Sequence, residues 1–113
     1  MFALTQGLRR AVQIKPNGKP IGFMEGSVYK LQVENVEKGD MVFLFTDGLL
    51  EFTDQDGVEF GEEKLLAFFQ SWNEQPEEVK MSEINDAFWK QMEAYRGGAP
   101  IDDDITLISM RLK

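Results

Sequence analysis

The sequence predicts an α+β fold in which antiparallel strands carry two helices packed on one face. Three observations indicate this class: two stretches of alternating apolar and polar residues, one uninterrupted apolar run, and two segments with apolar residues at helical spacing. The chain has 113 residues, of which 42% are hydrophobic, which is enough for one modest core. We therefore expect one packed unit.

The first half of the chain predicts strands. Residues 8–14 indicate a strand with Arg9 and Arg10 facing solvent, followed by a turn at 15–18 (KPNG). Residues 27–36 predict a strand with one buried face, since Tyr29, Leu31 and Val33 alternate with polar residues. Residues 41–45 (MVFLF) predict a strand buried on both faces. Because only a short turn separates the last two strands, we expect them to form an antiparallel hairpin.

The second half predicts two helices and a final strand. Residues 61–72 place large apolar side chains at helical spacing, with acidic residues in the first turn. A second helix is predicted over 76–95, with Gly97 and Gly98 just past its end. Residues 105–113 alternate again, so the chain is expected to end in the sheet.

Charge and composition exclude several functions. The formal net charge of −8 disfavours binding to nucleic acid or to an anionic membrane. Cysteine and histidine are absent, which excludes disulfides, thiolate nucleophiles and a Ser-His-Asp triad. No apolar run reaches the length of a membrane span, and the first residues do not resemble a signal peptide. We therefore expect a cytoplasmic protein.

Two acidic sites adjoin predicted strands. Asp47 follows the apolar run 41–45, and Asp102, Asp103 and Asp104 precede the last predicted strand. If these strands are neighbours in one sheet, the carboxylates converge at one end, where a divalent cation would offset their repulsion. Asp-Gly is also a common turn dipeptide, and acidic runs commonly lie in solvated loops. The residues alone therefore leave open that both sites are structural loop ends.

Three blocks, in the same order along the chain, resemble one known family. Residues 39–51 (GDMVFLFTDGLLE) and 56–65 (DGVEFGEEKL) are similar to the Thr-Asp-Gly block of bacterial PPM-type metal-dependent protein phosphatases. The similarity is to the branch that contains the stage II sporulation protein E and sigma-B regulator phosphatases. Residues 102–107 (DDDITL) resemble the closing Asp-Asp-Ile-Thr block of that family, and 18–22 (GKPIG) resemble its Pro-Leu-Gly loop.

The resemblance implies a fold and a metal site. The expected fold is part of an α-β-β-α sandwich of two antiparallel sheets, and the complete domain would hold two Mn²⁺ or Mg²⁺ ions that activate a water molecule. By match, Asp47 and Asp103 would ligate metal, Gly48 and Asp104 would belong to the same site, and Asp102 would be a loop residue. No catalytic residue is expected beyond the metal ligands.

The resemblance covers only part of the family's pattern. The N-terminal half of the family domain supplies an Asp-Gly that bridges the metals and a block around Asn-Ala-Gly-His, and neither is matched here. We therefore expect residues 1–113 to be the C-terminal portion of a phosphatase domain, with the N-terminal half absent. Such a portion would bind metal weakly or not at all and would be inactive or weakly active alone. It would also expose an apolar patch that a homodimer covers.

Two functions follow from the resemblance. The first is hydrolysis of phosphoserine or phosphothreonine on a regulatory protein, for which the family suggests an anti-anti-sigma factor as substrate. The second is a non-catalytic interaction module in partner-switching signalling, which would keep the fold and have an incomplete metal site. The sequence does not decide between them, because the ligands that would decide lie outside the matched blocks.

Overall fold

The structure, a computed structural model, describes residues 2–5, 10–14, 22–29, 31, 33–73 and 79–113. In that part of the chain the strands are β1 (Phe2–Thr5), β2 (Arg10–Gln13), β3 (Met41–Phe45) and β4 (Leu107–Arg111). The helices are α1 (Gly48–Glu51), α2 (Gly61–Trp72) and α3 (Met81–Arg96). The strands form one sheet in the order β2-β1-β3-β4, with antiparallel neighbours throughout. The predicted α+β class is confirmed.

Strand β3 lies between β1 and β4 and has the bounds that the sequence predicts. Its five consecutive apolar, mostly β-forming residues favour a strand in this position. Met41 and Phe43 are fully buried beneath the helices, whereas Val42 and Leu44 point to the opposite face and are half-buried. The prediction of burial on both faces is therefore wrong for one face, because the two long helices pack on the other.

The predicted hairpin between residues 27–36 and β3 is wrong. Residues 27–29, 31 and 33–36 form no strand, and the side chains of Leu31 and Val33 are 89% and 74% exposed. The hairpin with β3 cannot form because both edges of β3 are occupied, one by β1 and the other by β4.

Helix α2 occupies the predicted bounds and buries Leu65, Phe68 and Phe69, of which Phe68 packs edge-on against Phe88 of the other long helix. Phe69 stacks on Phe43 of β3, with ring centroids 4.0 Å apart and an interplanar angle of 18°. Full burial of a phenylalanine contributes about 1.5–3 kcal/mol, so this pair helps to hold the helix on the sheet.

Helix α3 ends at Arg96, one residue beyond the predicted end, and starts later than predicted. Val79 and Lys80 lie outside the helix, and residues 76–78 lie outside the described part of the chain. Glu83 fixes the start, since its carboxylate accepts the Lys80 backbone N–H at 3.1 Å while its own N–H donates to the Lys80 carbonyl at 3.0 Å. Gly97 ends the helix with a φ of 55°, a left-handed conformation that glycine adopts readily.

The final strand is confirmed over part of the predicted range 105–113, as β4. Leu107, Ser109 and Arg111 lie on the helix side of the sheet, where Ser109 Oγ donates a hydrogen bond to Asn85 Oδ1 of α3. Ile108 and Met110 lie on the other side and are 50% and 40% exposed. The apolar alternation of this strand therefore faces away from the helices.

Four apolar side chains, from β3 and β4, form what we call the open face: Val42, Leu44, Ile108 and Met110. None of them is charged, and both long helices lie on the opposite side of the sheet. The prediction that the helices pack on one face is thus confirmed.

The first predicted strand is confirmed for residues 10–13. Residues 8 and 9, the turn at 15–18 and all but the last residue of the loop at 18–22 lie outside the described residues. The predicted outward orientation of Arg9 and Arg10 concerns side chains that the structure does not describe.

Candidate functional site

The two acidic loops lie at the same end of the sheet. Asp47 follows β3 after one intervening residue, and Asp103 and Asp104 precede β4. Because these strands are antiparallel neighbours, with Phe45 opposite Leu107, the end of β3 and the start of β4 are side by side. The structure thus meets the condition under which the two acidic sites were expected to converge, and their loops lie side by side.

The side chain of Thr46 connects these loops directly. Its hydroxyl donates to the Asp104 carbonyl oxygen at 3.1 Å and accepts the Thr106 N–H at 3.0 Å. The Thr46 backbone N–H also donates to the Thr106 carbonyl at 3.2 Å. Three hydrogen bonds therefore join the loops just beyond the last β3–β4 pair.

Gly48 lies where the loops approach most closely. A Cβ at this position would collide with the Asp104 carbonyl oxygen and would lie 3.2 Å from Ile105 Cγ1. The sequence suggests a glycine that allows the chain to turn, but Gly48 is not among the glycines with positive φ. Its absent side chain is what lets α1 start against the second acidic loop.

The predicted carboxylates are exposed, and two of them have defined local surroundings. Asp47 occupies the position before α1, and its backbone carbonyl accepts the Leu50 N–H at 2.9 Å, while its carboxylate makes no capping hydrogen bond. Asp103 Oδ1 accepts the Asp104 N–H at 2.7 Å. The Asp104 N–H thus donates to the Asp103 carboxylate, and the Asp104 carbonyl accepts from the Thr46 hydroxyl.

A cavity of about 270 Å³ adjoins these loops. The acidic residues that line it are Glu51, Glu59, Asp102 and Asp103, together with Gly48 at one side. The family resemblance implies that Asp102 is a loop residue, and it assigns no site role to Glu51 or Glu59. No sequence signal marks these two, because only the turn between Phe52 and Phe60 brings Glu59 next to Glu51.

That turn is held by Asp54 and Tyr95. Asp54 Oδ1 accepts the N–H groups of Asp56 and Val58, both at 2.9 Å. The Tyr95 hydroxyl donates towards two carbonyl oxygens, that of Val58 at 3.1 Å and that of Glu59 at 3.2 Å. The pKa of the Tyr95 hydroxyl is raised above its ordinary value, mainly by partial burial and to a lesser extent by the negative charge of Asp54. The tyrosine therefore keeps its proton for donation.

The donor set fits Mn²⁺ or Mg²⁺ in kind but not in number. Carboxylate oxygens such as those of Asp47, Asp103 and Asp104 are the hard ligands that these ions prefer. Within the described ranges, however, no three Asp or Glu side chains are grouped closely enough to hold a metal ion. These residues therefore form at most part of a metal site.

The sequence model of the stage II sporulation protein E (SpoIIE) family matches residues 1–113. The chain belongs to the SpoIIE family. No curated protein matches it. The family assignment, made first from the three blocks, is thus confirmed.

Two solved structures resemble this SpoIIE-family chain. The SiaA-PP2C domain of Pseudomonas aeruginosa is 25% identical with a TM-score of 0.76, and the match covers 99% of this chain and 42% of that one. The phosphatase domain of the cell-fate determinant SpoIIE from Bacillus subtilis, in a Mn-presoaked form, is 17% identical with a TM-score of 0.61. That match covers 98% of this chain and 45% of the other. The fold is therefore that of part of a phosphatase domain.

The SpoIIE-family chain spans less than half the length of the two solved domains that it matches. Among the described residues no helix is long and apolar enough to cross a membrane.

Proposed function

We propose that this chain is the C-terminal portion of a metal-dependent protein serine/threonine phosphatase domain. The observation that carries the proposal is the antiparallel pairing of β3 and β4, which holds two acidic loops at one end of the sheet. The family of the chain and its similarity to a PP2C domain support the same activity.

In this proposal Asp47 and Asp103 supply carboxylate ligands to Mn²⁺ or Mg²⁺, with Gly48 and Asp104 beside them. When bound, such ions activate a water molecule and bind phosphoryl oxygens, so no protein nucleophile is required. Residues of this chain hold Asp47 and Asp103 at one end of the sheet. Because Gly48 has no side chain, the two acidic loops can approach each other closely there. The remaining ligands come from the part of the domain that the two solved structures have beyond the matched region.

The proposed substrate is phosphoserine or phosphothreonine on a regulatory protein. An anti-anti-sigma factor is the specific substrate that the family resemblance suggests, and it stays a prediction, as does the cytoplasmic location. The cavity beside the acidic loops is lined by four carboxylates, which would repel a phosphate group unless metal ions offset their charge. Metal binding is therefore the property to measure first.

The test is a titration of the chain with Mn²⁺, followed by calorimetry and by paramagnetic broadening of backbone amide signals. We expect weak binding that broadens the amides near Asp47 and Asp103, and loss of binding in both Asp47→Asn and Asp103→Asn. Asp86→Asn is the matched control, because Asp86 is an exposed carboxylate on α3. Binding that is absent, or unchanged in the first two variants, would contradict the proposal.

A second candidate function is a non-catalytic interaction module. Two observations favour it: the lack of three grouped carboxylates in the described ranges, and the uncharged open face. In a complete phosphatase domain, we propose, a second sheet covers this face. In an interaction module a second copy of the chain would cover it, since the open face would place no like charges in direct contact across the interface.

A further inference from the structure

The Thr46 hydroxyl has an arrangement that strand pairing alone does not require. The backbone N–H of Thr46 already continues the ladder between β3 and β4 by bonding to the Thr106 carbonyl. The hydroxyl adds two bonds, one to the Asp104 carbonyl and one from the Thr106 N–H. Because Thr46 is exposed, water can replace these bonds at little cost, so they contribute little to global stability. Their main effect is on position.

One residue links this hydroxyl to a predicted metal ligand. The Asp104 carbonyl is held by Thr46, and the Asp104 N–H holds Oδ1 of Asp103 at 2.7 Å. Asp47 follows Thr46 directly in the chain. Thr46 is therefore connected to both predicted ligands, through the hydrogen bonds of Asp104 to Asp103 and through the backbone to Asp47.

We propose that Thr46 is a positioning residue, whose hydroxyl sets the placement of Asp103 relative to Asp47. The inference rests on the proposed metal site and adds a role that the metal ligands themselves do not fill. Functional constellations have to be held to within about 0.5 Å, and groups that orient metal ligands typically change metal affinity by about 10–100-fold when removed. Because its hydroxyl donates to the Asp104 carbonyl and accepts the Thr106 N–H, Thr46 can hold the loop before β4 at two points.

The test compares Thr46→Val, which keeps the shape and loses the hydroxyl, with Thr46→Ser, which keeps the hydroxyl. We expect Thr46→Val to weaken Mn²⁺ binding about tenfold, and Thr46→Ser to stay within about twofold of wild type. Amide hydrogen exchange at Thr106 should become about fivefold faster in Thr46→Val only.

Ser109→Ala is the matched control, since it removes a hydroxyl from β4 that contacts α3 and not the acidic loops. It should leave Mn²⁺ binding and Thr106 exchange unchanged. Wild-type binding or wild-type Thr106 exchange in Thr46→Val would overturn the role of Thr46, and so would failure of serine to restore both.

The two proposals can fail separately. If the wild-type chain takes up no Mn²⁺, the proposed metal site is wrong. Thr106 exchange and the backbone chemical shifts of Asp103 and Asp104 then decide alone whether Thr46 positions the acidic loop. Changes in these signals in Thr46→Val, restored by Thr46→Ser, would support it, and unchanged signals would overturn it.

Discussion

Replacing Gly48 by alanine tests how closely the two acidic loops are packed. The new Cβ would collide with the Asp104 carbonyl oxygen and would lie 3.1 Å from its carbonyl carbon and 3.2 Å from Ile105 Cγ1. Ordinary contacts of a Cβ begin at 3.4 Å. The obstacle is backbone rather than the end of a flexible side chain, so either α1 or the loop before β4 has to move.

Two opposing contributions set the size of the effect. Alanine is favoured over glycine inside a helix by about 0.5–1 kcal/mol. Overpacking at a tight contact costs about 1–3 kcal/mol. Because α1 is a single turn and the clash is with a carbonyl, we expect the clash to dominate and the free energy of unfolding to fall by about 1–2 kcal/mol. In a domain of this size each 1 kcal/mol lowers Tm by about 4 °C.

Urea unfolding followed by circular dichroism measures this loss, and the amide shifts of Asp104 and Thr106 report the displaced loop. Gly57→Ala is the control, because Gly57 has a φ of 78° and nothing within 4 Å of a Cβ placed there. Alanine should destabilise that turn through backbone strain alone and leave the Asp104 and Thr106 signals unchanged. A Gly48→Ala protein with wild-type stability and wild-type amide shifts would refute the argument.

Two further predictions concern the open face and the turn beside the cavity. The isolated chain should self-associate through the open face, giving a mass above that of a monomer by light scattering, and Ile108→Lys should be monomeric because a charge would then lie in the contact. Trp89→Lys, on the exposed side of α3, should associate like wild type; a monomeric wild type at high concentration would count against this interface. Tyr95→Phe should reduce stability, and the difference from wild type should be largest below pH 10, the ordinary pKa of tyrosine. Since the folded protein raises that pKa, the difference should shrink as pH rises through the raised value, which urea unfolding between pH 8 and about 11 measures; a difference that grows with pH would contradict it.

The sequence predicts best those elements that form from a local pattern, whichever strands or helices lie beside them. β3 and α2 have their predicted bounds because an unbroken apolar run and a clear helical spacing are local signals. The prediction of a strand over 27–36 is wrong because it depended on a particular neighbour in the sheet. The central residues of that segment, 29–34, alternate as in a real strand, but the predicted partner β3 is already paired on both sides, with β1 and with β4. Which strands pair is a property of the whole sheet, which no local pattern contains.

The same distinction applies to the site. Asp47 and the acidic run 102–104 could be identified from the sequence, but their convergence requires that β3 and β4 be antiparallel neighbours, which the sequence left as a condition. The part that could not be predicted is the detail between them. The double hydrogen bond of Thr46 and the collision that excludes a side chain at Gly48 depend on the distance between two loops far apart in sequence. Glu59 reaches the cavity only through the turn that Asp54 closes.

Pairing between β3 and β4 has a consequence for the order of folding. Thr46 and Asp104, which it brings together, are separated by 58 residues, and both α2 and α3 lie in the intervening chain. Closing a loop of this length costs on the order of 4 kcal/mol of chain entropy, whereas the helices can form from local contacts. We therefore expect the acidic end of the sheet to be assembled late, when β4 docks as an edge strand. A ligand that bridges the two loops would bind only the closed chain, and would lower the population of chains with β4 detached as its concentration rises above its Kd.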